Sequence, residues 1–158
     1  MVMSEPDKGT TFDIFLPVIG ADSGLDDRPD EPLPTGKGHI LFVDDEPSLA
    51  EVGTHMLETL GYEVVAKTSS VEAIELFKAR PEYFDLVVTD MTMPVMTGEA
   101  LADEIMKVRA DIPIILCTGF SHQINKQKAI QLGIKAFIMK PFVLRDIGKA
   151  VREAMGKA

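Results

Sequence analysis

From residue 39 onward the sequence keeps a regular rhythm, short apolar runs alternating with stretches of helical periodicity. "HILFVDDE", "EVVAK", "DLVVTD", "IPIILCT" and "KAFIMK" read as strands, the first so continuously apolar that both its faces must be covered. "PSLAEVGTHMLETLGY" sets Leu49, Val52, Met56, Leu57 and Leu60 on one helical stripe, with Pro47 in the first turn and Gly61 at the C-terminal cap. "SSVEAIELFKAR" is a helix with Ser69 and Glu72 spaced as a capping box. A helix is predicted from about Gly98 to Arg109, with Leu101, Ile105 and Val108 inward. "HQINKQKAIQLG" is a fourth helix, whose stripe of Ile124, Ala129 and Leu132 is thin. "VLRDIGKAVREAM" closes the pattern with Leu144, Ile147, Val151 and Met155 in phase. This order implies an α/β fold built on a doubly wound parallel sheet, because right-handed crossovers place helices on both faces.

The chain has 158 residues, enough for one ordinary core and a small appendage. Its net charge is −9 with no Lys/Arg run, which argues against nucleic-acid partners and against docking on anionic lipid. No apolar run is long enough to span a bilayer, and the N-terminus lacks a secretory signal pattern, so a soluble, cytoplasmic-type chain without direct membrane contact is expected. Cys117 is the single cysteine; inside "IPIILCTG" it reads as a small buried hydrophobe, with no disulfide or multi-cysteine metal site open to it.

In such sheets ligands bind beyond the carboxyl ends of the strands. There the sequence places Asp44 and Asp45 after the first strand, Asp90 after the third, Thr118 after the fourth and Lys140 after the fifth. Glu46 and Asp146 read as ordinary acids at helix starts. Three crowded carboxylates repel one another unless a cation sits among them. Oxygen-only ligands favour a hard ion such as Mg²⁺. A metal, an ammonium and a hydroxyl around one carboxylate form a cradle for a phosphoryl group, and a carboxylate can itself be the nucleophile. Asp90, central among these strand ends, is the candidate.

"LFVDDEP", "DLVVTDMTMPVMTG", "ILCTGF" and "AFIMKPF" together, each at a strand end, resemble the response-regulator receiver domain of two-component signalling over about Gly38 to Met155. The resemblance implies a flavodoxin-like sheet of strand order 2-1-3-4-5. It implies that Asp90 accepts a phosphoryl group from the phosphohistidine of a histidine kinase or a histidine phosphotransfer protein. Asp45, Asp90 and the Thr92 backbone carbonyl would ligate Mg²⁺, Asp44 would hold it through water, Lys140 would pair with the phosphoryl oxygens, and Thr118 and Phe137 would form the switch. A cis Lys140–Pro141 bond is also implied. None of His39, His55 and His122 lies in the context of a phosphodonor histidine. Two other readings compete with this one. A Mg²⁺-dependent aspartyl-nucleophile hydrolase would want an acid where Thr92 stands, and a phosphate-independent interaction module is opposed by the intact site set.

The start of the chain is different in kind. "VMSEPDKGTTFDIFLP" resembles the closing strands of a sensor histidine kinase's ATP-binding domain, with Asp7 where glycine is usual. The expected organisation is therefore a kinase remnant over 1–20, an acidic proline-rich linker over 21–36 and a receiver over 37–158, as in a hybrid kinase whose parent is open to membrane anchoring. The boxes that hold ATP are absent, so no kinase activity is expected of this chain, and no DNA-binding output is expected of it either. Phe12, Ile14 and Leu16 alternate on an orphan strand, expected to associate with the receiver or with a second copy.

Overall fold

The computed structural model describes residues 2–5, 8–15, 32–119 and 133–156. The chain forms two compact units, Met1–Pro32 and Leu33–Ala158. The first contains a hairpin of β1 (Val2–Glu5) and β2 (Gly9–Phe12), antiparallel with Val2 opposite Phe12 and Ser4 opposite Thr10. Apart from the partly covered Asp13, its described residues are exposed, with Phe12 at 68% and Ile14 at 80%. Leu16 and most of the 21–36 stretch lie outside the described residues.

The second unit carries five parallel strands, β3 (His39–Val43), β4 (Glu63–Lys67), β5 (Leu86–Asp90), β6 (Ile114–Thr118) and β7 (Ala136–Met139). They lie in the order β4-β3-β5-β6-β7, which is the order 2-1-3-4-5 when counted within this unit. Around them are α1 (Pro47–Thr59), α2 (Ser70–Ala79), α3 (Gly98–Val108) and α4 (Leu144–Ala154). The expected helix over "HQINKQKAIQLG", with His122, Ile124, Ala129 and Leu132, falls almost wholly outside the described residues.

Strand alternation divides the core. Leu41, Val43 and Val87 pack on one face with Ile74 and Phe77 of α2 and Leu101 and Ile105 of α3. Ile40, Phe42 and Val88 pack on the other with Leu57 of α1 and Ile147 and Val151 of α4. Successive side chains of one strand thus serve opposite layers, as the doubly wound arrangement requires. Both β3 and β5 are central, and the sheet winds away from them in opposite directions. Their carboxyl ends therefore bound the crevice where a ligand can reach the sheet.

Local signals hold with two shifts of phase. Ser69 accepts from the Glu72 amide at 3.4 Å, but the Glu72 carboxylate pairs with Lys67 at 3.2 Å instead of closing the box. Gly61 follows the C-cap of α1 with φ +94°, a conformation glycine adopts freely. On α1, however, Leu49 and Val52 are 39% and 49% exposed, while Ala50 and Gly53 are buried with Leu57 and Leu60. The inward face is rotated toward the small residues because Phe42 fills the space above Gly53. On α3 the stripe ends at Ile105, and Val108 lies exposed in the last turn.

Residues 33–38 form a strap on this unit. Pro34 is buried, and Gly36 donates to the Leu60 carbonyl at 2.9 Å. A Cβ on Gly148 of α4 would lie 2.7 Å from Pro34 Cγ and 2.8 Å from Leu60 Cδ1, so glycine is what lets the strap lie against both helices.

Gly53 generates a prediction whose sign geometry decides. An exposed helical glycine replaced by alanine gains up to about 1 kcal/mol. Here the new Cβ would sit 2.3 Å from Phe42 Cζ, and Phe42 is fully buried with nowhere to retreat. Gly53→Ala is expected to destabilise by about 1–3 kcal/mol, read as a lower urea midpoint at unchanged slope.

Candidate functional site

The site is assembled at the ends of four strands. Asp44 follows β3, tied by its amide to the Lys67 carbonyl at 3.1 Å, and is only 2% exposed. Asp90 is the last residue of β5, opposite Cys117 in the ladder, with Oδ2 accepting from the Thr92 amide at 2.7 Å. Lys140 follows β7, its amide held by the Thr118 carbonyl at 2.7 Å. Its Nζ lies 2.6 Å from Asp44 Oδ2 and 2.5 Å from Asp90 Oδ1. One ammonium therefore bridges the two carboxylates across the crevice.

That bridge sets the electrostatics. Burial works to lower the pKa of Lys140, but the hydrogen bonds and charges of Asp44 and Asp90 together outweigh it, and the net displacement is upward. The ammonium is thus fully charged at neutral pH and loses its proton only on the alkaline side, above lysine's ordinary 10.5. Cys117, buried beside this cluster, is pushed up to about 12 by burial and behaves as a packed hydrophobe.

The remaining predicted residues are less tightly gathered. Asp45 is exposed at the mouth and Thr92 lies on the loop after Asp90. The Thr118 hydroxyl donates to the Gly119 carbonyl at 3.2 Å and is engaged with the backbone. Phe137 is half-buried against Met91, Leu116 and Ile134. Among the described residues no group of three or more His, Cys, Asp and Glu side chains converges tightly enough to hold a metal alone. The oxygens present still suit a hard ion that keeps several waters, since Mg²⁺ ordinarily takes only one or two carboxylates. The Lys140–Pro141 bond is cis.

The loop after Asp90 is pinned to the acceptor strand. The Gly98 amide donates to the Met91 carbonyl at 3.0 Å, and a Cβ on Gly98 would lie 2.1 Å from the Asp90 carbonyl oxygen. Met91 and Met93 are buried, and Met96 packs against the core. Between them, Val95 has φ 68°, with the Met96 amide donating to the Pro94 carbonyl at 2.7 Å. That is a three-residue turn of the strained, positive-φ kind, costing on the order of 1–3 kcal/mol.

Beside Lys140 runs an apolar groove of about 330 Å³, lined by Leu49, Val52, Met56, Pro141, Phe142 and Lys140 itself. Sequence reasoning assigned Leu49, Val52 and Met56 to the core; Met56 does pack against it, partly buried, while Leu49 and Val52 are exposed. The signal that separates Leu49 and Val52 is phase: they stand one step of the helix round from the buried Ala50 and Gly53.

The family described as the response regulator receiver domain matches residues 40–152, nearly all of the rhythmic region. The chain belongs to that family. As a receiver, it is part of two-component signalling. Sensor kinase CckA of Brucella abortus (strain 2308) is 32% identical over 98% of this chain, which spans 17% of that protein's length. A receiver domain from Clostridium thermocellum matches with TM-score 0.71 at 30% identity, covering 75% of this chain and 94% of that one. The receiver domain of sensor histidine kinase PA1611 from Pseudomonas aeruginosa PAO1, described with magnesium coordinated in its active-site cleft, matches with TM-score 0.67 at 25% identity, over 77% of this chain and 99% of that one. Among the described residues of this receiver no helix is long and apolar enough to cross a membrane.

Two outcomes follow for this cluster. Lys140→Met strands the buried Asp44 carboxylate and is expected to cost about 3 kcal/mol at neutral pH; adding Asp44→Asn should recover much of it in a urea double-mutant cycle. Native Cys117 should resist iodoacetamide at pH 8 and be alkylated only after denaturation, followed by intact mass.

Proposed function

We propose that Asp90 of this receiver is the phosphoacceptor and that the phosphoryl group comes from the phosphohistidine of a histidine kinase or a histidine phosphotransfer protein. The observation that carries this is the Lys140 ammonium held 2.5 Å from Asp90 Oδ1 at the switch point of the sheet. A carboxylate oxygen of Asp90 attacks phosphorus, the P–N bond breaks, and its electron pair returns to the imidazole nitrogen. Lys140 then moves its pairing from the carboxylates to the phosphoryl oxygens, where negative charge concentrates. Thr118 exchanges its bond to the Gly119 carbonyl for one to the phosphoryl group. Phe137, half-buried and without a hydroxyl, answers by packing alone.

Asp45, Asp90 and the Thr92 carbonyl are the residues that would hold Mg²⁺, with Asp44 acting through water. When bound, the ion neutralises charge on the transferring group. The magnesium described for the PA1611 receiver supports this assignment. The apolar groove sharing Lys140 with the site supports a protein donor, because a partner bringing histidine to Asp90 covers that rim. The 98% coverage of this chain in CckA supports the reading of residues 1–20 as the end of a kinase's ATP-binding domain, with the receiver following in one hybrid protein on the cytoplasmic side.

The test is intact-mass spectrometry after incubation with acetyl phosphate, with and without Mg²⁺, beside Asp90→Asn. One phosphoryl adduct that requires both the metal and Asp90 is the expected result. No adduct, together with no beryllofluoride binding, would sink the phosphoacceptor reading.

A further inference from the structure

Val95 is the residue near the acceptor that the fold itself does least to explain. Among the described residues it is the single non-glycine with positive φ. A β-branched side chain is an outlier there, where Gly or Asn would sit with less strain. Its side chain is 91% exposed, more than any other large apolar side chain described. It therefore adds almost nothing to the core. Yet the turn beneath it is fixed: the Gly98–Met91 bond, the Thr92–Asp90 bond and the buried Met93 anchor both sides of the loop. The result is an exposed apolar tip on an anchored loop that leaves directly from Asp90.

Resting on the phosphoacceptor reading above, the geometry points to Val95 as a specificity-determining residue, one that touches the protein delivering the phosphoryl group and that small phosphodonors do not use. A histidine-bearing donor has to bring its ring to Asp90 across the rim on which this tip stands. An exposed, rigidly placed apolar side chain offers such a surface contact area at little loss of conformational freedom on binding. A small molecule enters the crevice without meeting it.

The experiment uses the full chain with Val95→Asn and Val95→Thr. The first relieves the backbone and removes the apolar group; the second keeps the branch and exchanges one methyl for a hydroxyl. Each is labelled with acetyl phosphate and Mg²⁺, and separately with the autophosphorylated kinase portion of Brucella abortus CckA. Acetyl phosphate labelling is expected to stay within about twofold of wild type for both, while KM for the kinase donor rises about fivefold in Val95→Asn and less in Val95→Thr, with the saturating rate little changed. Unchanged kinase transfer in both variants would overturn the assignment. So would a parallel fall in acetyl phosphate labelling, which marks a purely structural loop. A wild-type chain labelled by acetyl phosphate but not by the kinase also overturns it. A wild-type chain labelled by neither removes the underlying phosphoacceptor reading instead.

Discussion

An ammonium between two carboxylates is the constraint around which the receiver is organised. Asp44 is almost wholly buried and Asp90 nearly so, and Lys140 reaches both from a third strand end. Removing charges from water costs several kcal/mol per ion unless they are paired at close range. The pairing therefore demands that β3, β5 and β7 end at the same level. The ladder supplies that: Val43 stands opposite Thr89, Asp90 opposite Cys117, and Thr118 opposite Met139. A one-residue slip in any of these strands would turn its acid or base into a core layer.

The same arrangement gives the site its poise. Lys140 is satisfied by Asp44 and Asp90, so the resting cluster is balanced, and on the proposed assignment a phosphoryl group competes for one ammonium already in place. Little needs to be built at the moment of transfer, which is the condition under which electrostatic stabilisation is most effective. Thr118 is likewise committed elsewhere, to the Gly119 carbonyl, so its engagement with a new ligand is an exchange of one bond for another.

Much of this was legible in the sequence because the relevant signals are short-range. Apolar runs ending in Asp, Thr or Lys place those side chains at strand ends, and the doubly wound order then gathers the ends on one rim. What the sequence hid were matters of phase and partner. Leu49 and Val52 look like core until Phe42 is seen to occupy the space over Gly53 and rotate the helix. The sequence put the acids and Lys140 on one rim but not the direct bridge from Lys140 to Asp44 and Asp90, which residues so distant in sequence form only through the fold. Val95 gave no local sign, since its conformation is dictated by the anchors on either side of it.

The strap at Pro34 has a mechanical meaning. Gly148 lies on α4, the helix that begins four residues after Lys140, and it is Gly148 that receives Pro34. The helix that starts just beyond Lys140 therefore also carries, at Gly148, the seat of the strap. A displacement of the strap over residues 33–38 therefore acts on the same helix that follows the site.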